Sequence, residues 1–544
     1  MDKKTLLLFW AISFASGNPD SNWFSEESQS RGLHFRHFHG GTGEYFLPES
    51  LGSGVALIDY DNDGDLDVYL LQGASLNSRY RPAAAAPSNR LFRNMRSEEG
   101  RLRFVDVTAQ ARLAGTSGYS LGAAVGDYDL DGWLDLYVTG VGRTILYRNN
   151  GNGTFTDTTA AAGVADNRVT TAAAFFDADR DGDLDLLVLS YVDFTVASNR
   201  KCPGPGNRLD YCQPAVYHPL PARYFRNDGA GRFTDQSDAS GFGSAAGAGL
   251  GIAVADFDQN GWLDVYVAND GTPNHLWMNR KQGRFEETAL PAGAAYDDQG
   301  RAQAGMGVSA GDFDGDGDED LIVANLMGET LALYENDGQA EFLHATVRRR
   351  LAPPSLPFTG FGAVWADFDH DGALDLFIAN GSVKALDGMG DHPYPYGQRN
   401  QLFRNDKNGF VDVRMPVLDA VEASRGVAAG DLDNDGDIDL VVSNSNGPAR
   451  LLLNRKAPAG QSLTVRLMSD KPIEGTRIGL TRKDGSRLWR RSSRSGSYLS
   501  SNSPDVHFGV APADVERIVV EWPDGGSQTH LPNASRITIR RAAP

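Results

Sequence analysis

The sequence is poor in the features that most often announce a function. Its 544 residues hold two cysteines, too few for a cysteine-rich module, and their spacing is not the C-x-x-C of a redox pair. Basic residues are in the minority, 51 Lys and Arg against 71 Asp and Glu, for a formal net charge of -20; phosphate binding needs a basic footprint, so nucleic acid is excluded as a partner. Beyond the N-terminus there is no apolar run long enough to span a membrane. Long helical periodicity is missing. No GxSxG or HExxH occurs, and no Cys/His pair has the look of a nucleophile and its base. His34, His37 and His39 cluster in LHFRHFHGG, but strand alternation splits them between two faces and argues against a transition-metal site.

What is present starts with MDKKTLLLFWAISFASGN. Two lysines, an apolar stretch and small residues at 15–17 read as a secretory signal peptide over residues 1–17, rather than a buried strand or short anchor. The expected mature protein is secreted, periplasmic or on the cell surface, with no membrane span, and a monomer.

A nonapeptide then recurs seven times: DYDNDGDLD (59–67), DYDLDGWLD (127–135), DADRDGDLD (177–185), DFDQNGWLD (256–264), DFDGDGDED (312–320), DFDHDGALD (367–375) and DLDNDGDID (431–439). Positions 1, 3 and 9 are always Asp, position 5 is Asp or Asn, and position 6 is Gly. Such clustered carboxylates repel one another unless a cation neutralises them. A hard ion such as Ca²⁺ takes six to eight oxygens, and Gly at position 6 permits the sharp turn that aims them inward. The expected ligands are Asp59, Asp61, Asp63 and Asp67; Asp127, Asp129, Asp131 and Asp135; Asp177, Asp179, Asp181 and Asp185; Asp256, Asp258, Asn260 and Asp264; Asp312, Asp314, Asp316 and Asp320; Asp367, Asp369, Asp371 and Asp375; and Asp431, Asp433, Asp435 and Asp439, with the carbonyl of residue 7 adding an oxygen. Up to seven Ca²⁺ follow; Mg²⁺ suits such loops less well because it keeps its waters. Ordinary Asp-rich turns would not need Asp at position 9. The loops are not EF-hands: position 12 is apolar throughout and the flanks are strand-like.

Each loop is followed by a second motif ending in Asn: LFRN (91–94), LYRN (146–149), YFRN (224–227), LWMN (276–279), LYEN (333–336), LFRN (402–405) and LLLN (451–454). A strand led by Phe104, Phe155, Phe233, Phe285, Phe342 or Phe410 comes next. Strand, acidic loop, strand, strand, turn and strand, seven times over, predict an all-β, seven-bladed β-propeller across 31–456. The seventh repeat has no Phe-led strand, so we expect residues 31–38 to close that blade and remove an exposed edge.

The first Asp lies 22 to 24 residues before the motif Asn in four repeats, but 35, 50 and 38 residues before it in the first, third and sixth. The extra residues fall between the second and third strands, on the face opposite the acidic loops. Long loops on a rigid scaffold carry function. In an exported protein Cys202 and Cys212, within the longest insertion, are expected to form a disulfide, the alternatives being free thiols or a redox pair. Tyr80, Arg81, His392, Tyr394 and Tyr396 are candidate ligand contacts or, equally, loop anchors.

The acidic loops resemble FG-GAP/VCBS repeats, the calcium-binding blades of integrin α-subunit propellers. The stretch HFHGGTGEYFLPESLGSGVALIDYDNDGDLDVYLLQG resembles the cartilage acidic protein 1 family, and IGLTRKDGSRLWRR, GSYLSSNSPDVHFGV and VERIVVEWPDGG resemble an ASPIC/UnbV domain. Animal members carry an EGF-like module that two cysteines cannot build, so the chain is more similar to bacterial members. The resemblance implies calcium binding and an extracellular or periplasmic setting, and supplies no established chemistry. Read directly, 461–544 is a small β-sandwich-like domain with Asp-Gly hairpin turns at 484–485 and 524–525, joined through KAPAG. It holds 13 basic and 8 acidic residues; it could dock on the acidic propeller, though we read it as ordinary mixed surface charge. The function expected is an exported calcium-binding propeller acting as a binding or adhesion-type protein for an unknown protein or glycan at its insertion-loop face. The alternative is an extracellular enzyme working at that face.

Overall fold

The computed structural model describes residues 22–77, 79–80, 87–114, 118–204, 208–386, 395–456 and 460–542. The proposed signal peptide, Arg81, His392 and Tyr394 lie outside them.

The repeats fold into seven four-stranded antiparallel sheets. Sheet 1 is Val55–Ile58, Asp67–Leu70, Arg90–Asn94 and Phe104–Asp106; sheet 4, with longer strands, is Gly249–Ala255, Asp264–Asn269, His275–Asn279 and Phe285–Glu287. In every repeat the acidic loop joins the first two strands, the Asn motif is the third, and in the first six the Phe-led segment is the fourth. The first strands pack side by side around a ring, and that of sheet 7, Ser424–Gly430, returns to that of sheet 1. The molecule is a β-propeller. Second strands such as Asp185–Ser190 are buried along their whole length, because both faces of each sheet are covered by neighbours.

The closing strand is not where the sequence suggested. Phe24–Glu26 pairs antiparallel with Arg450–Asn454, Phe24 opposite Asn454. Residues 31–38 make only an isolated bridge, Arg36 to Pro448, after a turn. Phe24 is the missing leading phenylalanine: Phe24-Ser25-Glu26 repeats the pattern of Phe155-Thr156-Asp157 and Phe285-Glu286-Glu287, and Phe24 meets Phe368 of the neighbouring sheet edge-on at 5.4 Å.

The C-terminal domain is a small sandwich. One sheet is Val506–Phe508, Leu463–Met468 and Arg536–Arg540; the other is Arg487–Arg491, Arg477–Arg482, Val515–Glu521 and Ser527–His530. Both Asp-Gly pairs turn hairpins, as expected. Between the sheets lie Val465, Ile478, Leu480, Phe508, Ile518 and Val520.

This domain is not a loosely tethered tail. Residues 495–503 enter the centre of the ring and bond to the innermost strands of several sheets. Ser497 exchanges both backbone hydrogen bonds with Val308. Ser501 donates to Val55 and accepts from Leu57; Ser503 donates to Ala429. Ser495 Oγ and Asn502 Oδ1 accept from Val254 and Ala429. Tyr498 is wholly buried, its hydroxyl on the Leu51 carbonyl and its ring edge-on to Phe361. The inner edge of a sheet presents unpaired N–H and C=O groups; a serine-rich segment satisfies them without bulk. The fit demands glycine at the strand starts. A Cβ on Gly54 would stand 1.7 Å from the Leu499 carbonyl oxygen, and one on Gly307 would stand 2.0 Å from that of Phe361.

Candidate metal centre

The nonapeptide builds the same local frame in all seven copies. Position 4 is left-handed each time: Asn62, Leu130, Arg180, Gln259, Gly315, His370 and Asn434. Position 6 is a left-handed glycine, φ +88° to +101°. The side chain of position 5 accepts the N–H of position 7, as Asp63 does from Asp65 and Asn260 from Trp262, an Asx turn that tightens the bend. In six loops the position 6 N–H donates to the first Asp, as Gly64 does to Asp59 at 3.1 Å. The fifth loop, with glycine also at position 4, uses Gly315 to Asp312 instead.

The ninth-position Asp is the bolt of the frame. Asp67, Asp135, Asp185, Asp264, Asp320, Asp375 and Asp439 are fully buried. One oxygen accepts the N–H of position 2 at 3.0–3.3 Å. The other accepts the N–H of the motif Asn at 2.7–3.0 Å. The loop is thereby fastened to the third strand of its own sheet.

Within that frame the carboxylates converge. Asp59, Asp61 and Asp67 each bring an oxygen within 4.8 Å of the other two, and so do the corresponding trios at 127, 177 and 256; in the fifth loop the group is Asp312, Asp314 and Asp316. Their oxygens are not all spent on the protein. Buried Oδ1 atoms of Asp59, Asp61, Asp129, Asp177, Asp256, Asp369 and Asp433, and Oδ2 of Asp312, have no hydrogen-bond partner among the described residues. Burial pushes the first-position carboxyls up: Asp59, Asp127 and Asp312 to about 6, Asp177 and Asp367 to about 7. Asp135 and Asp320 rise to about 9 for the same reason. An orphaned, desolvated, all-oxygen donor set fits a hard divalent cation and offers nothing to a soft one.

Two sets of side chains around the loops were not given roles from sequence. The motif Asn is a staple between sheets. Asn149 Nδ2 donates to the Tyr60 carbonyl of the preceding sheet and the Leu134 carbonyl of its own. The same bonds run from Asn227 to Tyr128, Asn279 to Ala178, Asn336 to Phe257, Asn405 to Phe313 and Asn454 to Phe368. Asn94 to Leu432 completes the circle. The signal was an Asn in every copy at one offset.

The second set comes from the C-terminal domain, whose basic residues sit on the acidic loops; the reading as ordinary mixed surface charge is wrong. Position 6 carbonyls accept from it in four loops: Gly64 from Arg466, Gly317 from Arg477, Gly372 from Arg490, and Gly436 from Ser462. Arg536 pairs with Asp431 and Arg491 with Glu319; the Gly509 N–H donates to Asp367.

At the other end of the ring, where the first strands begin, two cavities of about 230 and 400 Å³ adjoin. Tyr396 and Tyr211, from two of the insertions, line the smaller one with Glu49 and Arg425. Cys202 and Cys212 form the expected disulfide, which places Tyr211 and Gln213 at the larger cavity. Tyr80, in the first insertion, stacks on Phe38 at 6.1 Å.

The FG-GAP-like repeat family matches residues 59–138, 127–188, 215–267, 256–323, 312–378 and 390–464, and the ASPIC and UnbV family matches 468–543. Cartilage acidic protein 1 of Xenopus tropicalis is 26% identical over 512 residues, covering 88% of this chain and 71% of that one. The Mus musculus protein of the same name is 27% identical over 508 residues, with the same coverage. Integrin alpha-IIb of Mus musculus is 28% identical over 252 residues, 42% of this chain and 23% of that one. The chain therefore belongs to the FG-GAP-like repeat proteins, in the group similar to cartilage acidic protein 1, with an ASPIC and UnbV domain at its C-terminal end.

Proposed function

We propose that this is an exported, calcium-loaded β-propeller that works by binding, in the manner of an extracellular or periplasmic adhesion-type protein, through its insertion-loop end. One observation carries the reading. At the acidic-loop end the first, fifth, sixth and seventh loops are occupied by the chain's own C-terminal domain, whereas the opposite end gathers insertion residues around adjoining cavities. Likeness to cartilage acidic protein 1 and to integrin α-chains supports an extracellular protein or glycan as partner. Up to seven Ca²⁺, one per loop, would hold the acidic end together, with Asp or Asn at positions 1, 3, 5 and 9 as the ligand set. The domain limits this reading uses are 1–17 for the signal peptide, 24–456 for the propeller and 461–544 for the C-terminal domain, in a monomer.

The test is a pull-down of extracellular proteins together with a glycan array, run on wild type, on Lys384→Glu at the insertion end and on Arg487→Glu on the C-terminal domain. Lys384→Glu should lose the ligand that Arg487→Glu retains. The reverse pattern, or a ligand held equally by both, would place the working surface elsewhere.

A further inference from the structure

The smaller cavity is lined by an acidic and a basic side chain that do not meet. Glu49 is 1% exposed and Arg425 2%. Both line the cavity, and among the described residues neither has an oppositely charged partner within 4.0 Å. Burying an ion without a counter-ion is expensive, and folds remove such groups unless the site uses them.

The two charges are also prevented from finding each other. All five N–H groups of Arg425 are taken by backbone carbonyls: Nε and Nη2 by Ser50, Nη1 by Gly381 and Ser424, and Nη2 again by Ser382, at 2.9–3.1 Å. Its guanidinium lies 3.9 Å over the Phe361 ring. Burial draws Arg425 down only to about 10, so it remains a cation. Glu49 is held from the other side, and burial pushes its carboxyl up to about 7, so a cation beside it would favour the ionised form. Tyr211 donates its hydroxyl to Oε2 at 3.2 Å, while Oε1 is buried with no partner among the described residues. Tyr211 packs in turn against Tyr45, edge-on at 5.4 Å, and against Tyr396, tilted at 5.9 Å. Tyr396 is itself tied to Asp210. A second unpartnered buried atom, His39 Nδ1, belongs to the same lining.

We propose that this cavity binds a small zwitterion of the α-amino acid type, its ammonium on Glu49 among the tyrosine rings and its carboxylate on the Arg425 side. An ammonium satisfies the orphan Oε1 and supplies the missing positive charge, with the aromatic faces adding cation–π attraction. A carboxylate lies in the field of Arg425, with Ser445 and Asn446 of the same lining as neutral polar neighbours. A plain cation would be repelled by Arg425 and a plain anion by Glu49, so both charges are selected together. Since both protein groups are already fixed, little ordering is left to oppose binding. The inference rests on the insertion-loop end being the ligand end, and it adds a ligand class to it.

Titration calorimetry on the full-length, calcium-loaded protein tests it, with the twenty common L-amino acids injected one at a time and glucose as an uncharged control. At least one amino acid should bind. Blocking its amine by acetylation, or its carboxylate as the amide, should each weaken binding by about tenfold or more, the worth of one charge-assisted hydrogen bond. Glu49→Gln keeps the Tyr211 contact and should weaken binding by about as much. Ala423→Leu, which fills the cavity while keeping both Glu49 and Arg425 in the sequence, should abolish binding, and the melting temperature of each variant checks that it folds. If no amino acid binds, if the blocked forms bind as tightly as the parent, or if only glucose binds, the proposal is overturned. Retention of a protein or glycan partner lost by Lys384→Glu, with no amino acid bound, would sink this inference alone; loss of both would sink the function reading as well.

Discussion

At the scale of single residues, the motif asparagine does more than the acidic positions that drew attention first. Its amide bridges two sheets while its backbone N–H holds the ninth Asp of its own loop. Asn149→Ala leaves the Tyr60 and Leu134 carbonyls buried without a donor, and should cost about 2 kcal/mol in urea unfolding. Asn149→Asp should be no better, because a carboxylate cannot donate. The acidic positions make a separate prediction. Asp127→Ala, in a loop with an orphan oxygen on Asp129, should lower the bound calcium by one ion per molecule in elemental analysis and reduce the melting temperature. Unchanged stoichiometry would mean that this loop holds no ion. The carboxylates were legible because their chemistry demands a fixed residue type at fixed spacing. The left-handed position 4 was not, since Leu130, Arg180 and Gln259 adopt it under tertiary constraint, against their own preference.

At the scale of elements, two segments complete the ring from a distance. Phe24–Glu26 supplies the last strand, and residues 495–503 satisfy the inner edges. Phe24 escapes the repeat pattern because it precedes the first acidic loop in sequence, while the seventh loop that it completes lies at the other end of the ring. The central segment carries no periodic signal at all. Serine, asparagine and glycine read as loop, and only the tertiary setting shows that each polar group has a partner on an inner strand. Tyr498→Ala removes a wholly buried ring and the hydroxyl bond to Leu51, and should destabilise by about 3 kcal/mol in the same unfolding assay. Truncation before residue 461 exposes inner edges and acidic loops together, so the shortened chain should melt lower even in saturating calcium, and should do so more than Tyr498→Ala.

For the whole molecule, the charge asymmetry between the two parts turned out to be a contact rather than a surface average. Composition could show the difference in sign; only the placement of Arg466, Arg490 and Arg536 over the loops shows its use. The loops also set a pH dependence. Burial raises the first- and ninth-position carboxyls, Asp59 to about 6, Asp177 to about 7 and Asp135 and Asp320 to about 9, above the unfolded value of about 3.9. Such groups stabilise the fold while protonated, so without calcium that contribution is complete below about pH 4 and is lost as pH rises through 6 to 9. Melting in EDTA should therefore fall from pH 5 to pH 8. Calcium should cancel or reverse that slope, because ions compete with protons for the same oxygens. A flat profile in EDTA would contradict the burial of these carboxyls.

The filled centre of the ring has one more consequence. Tyr498 touches Leu51 and Phe361, which also form the wall of the larger cavity. Among the described residues the Tyr498 ring floors the cavity on the side of the C-terminal domain. A guest would then come and go through the insertion-loop mouth, and a bulky partner seated there would trap it.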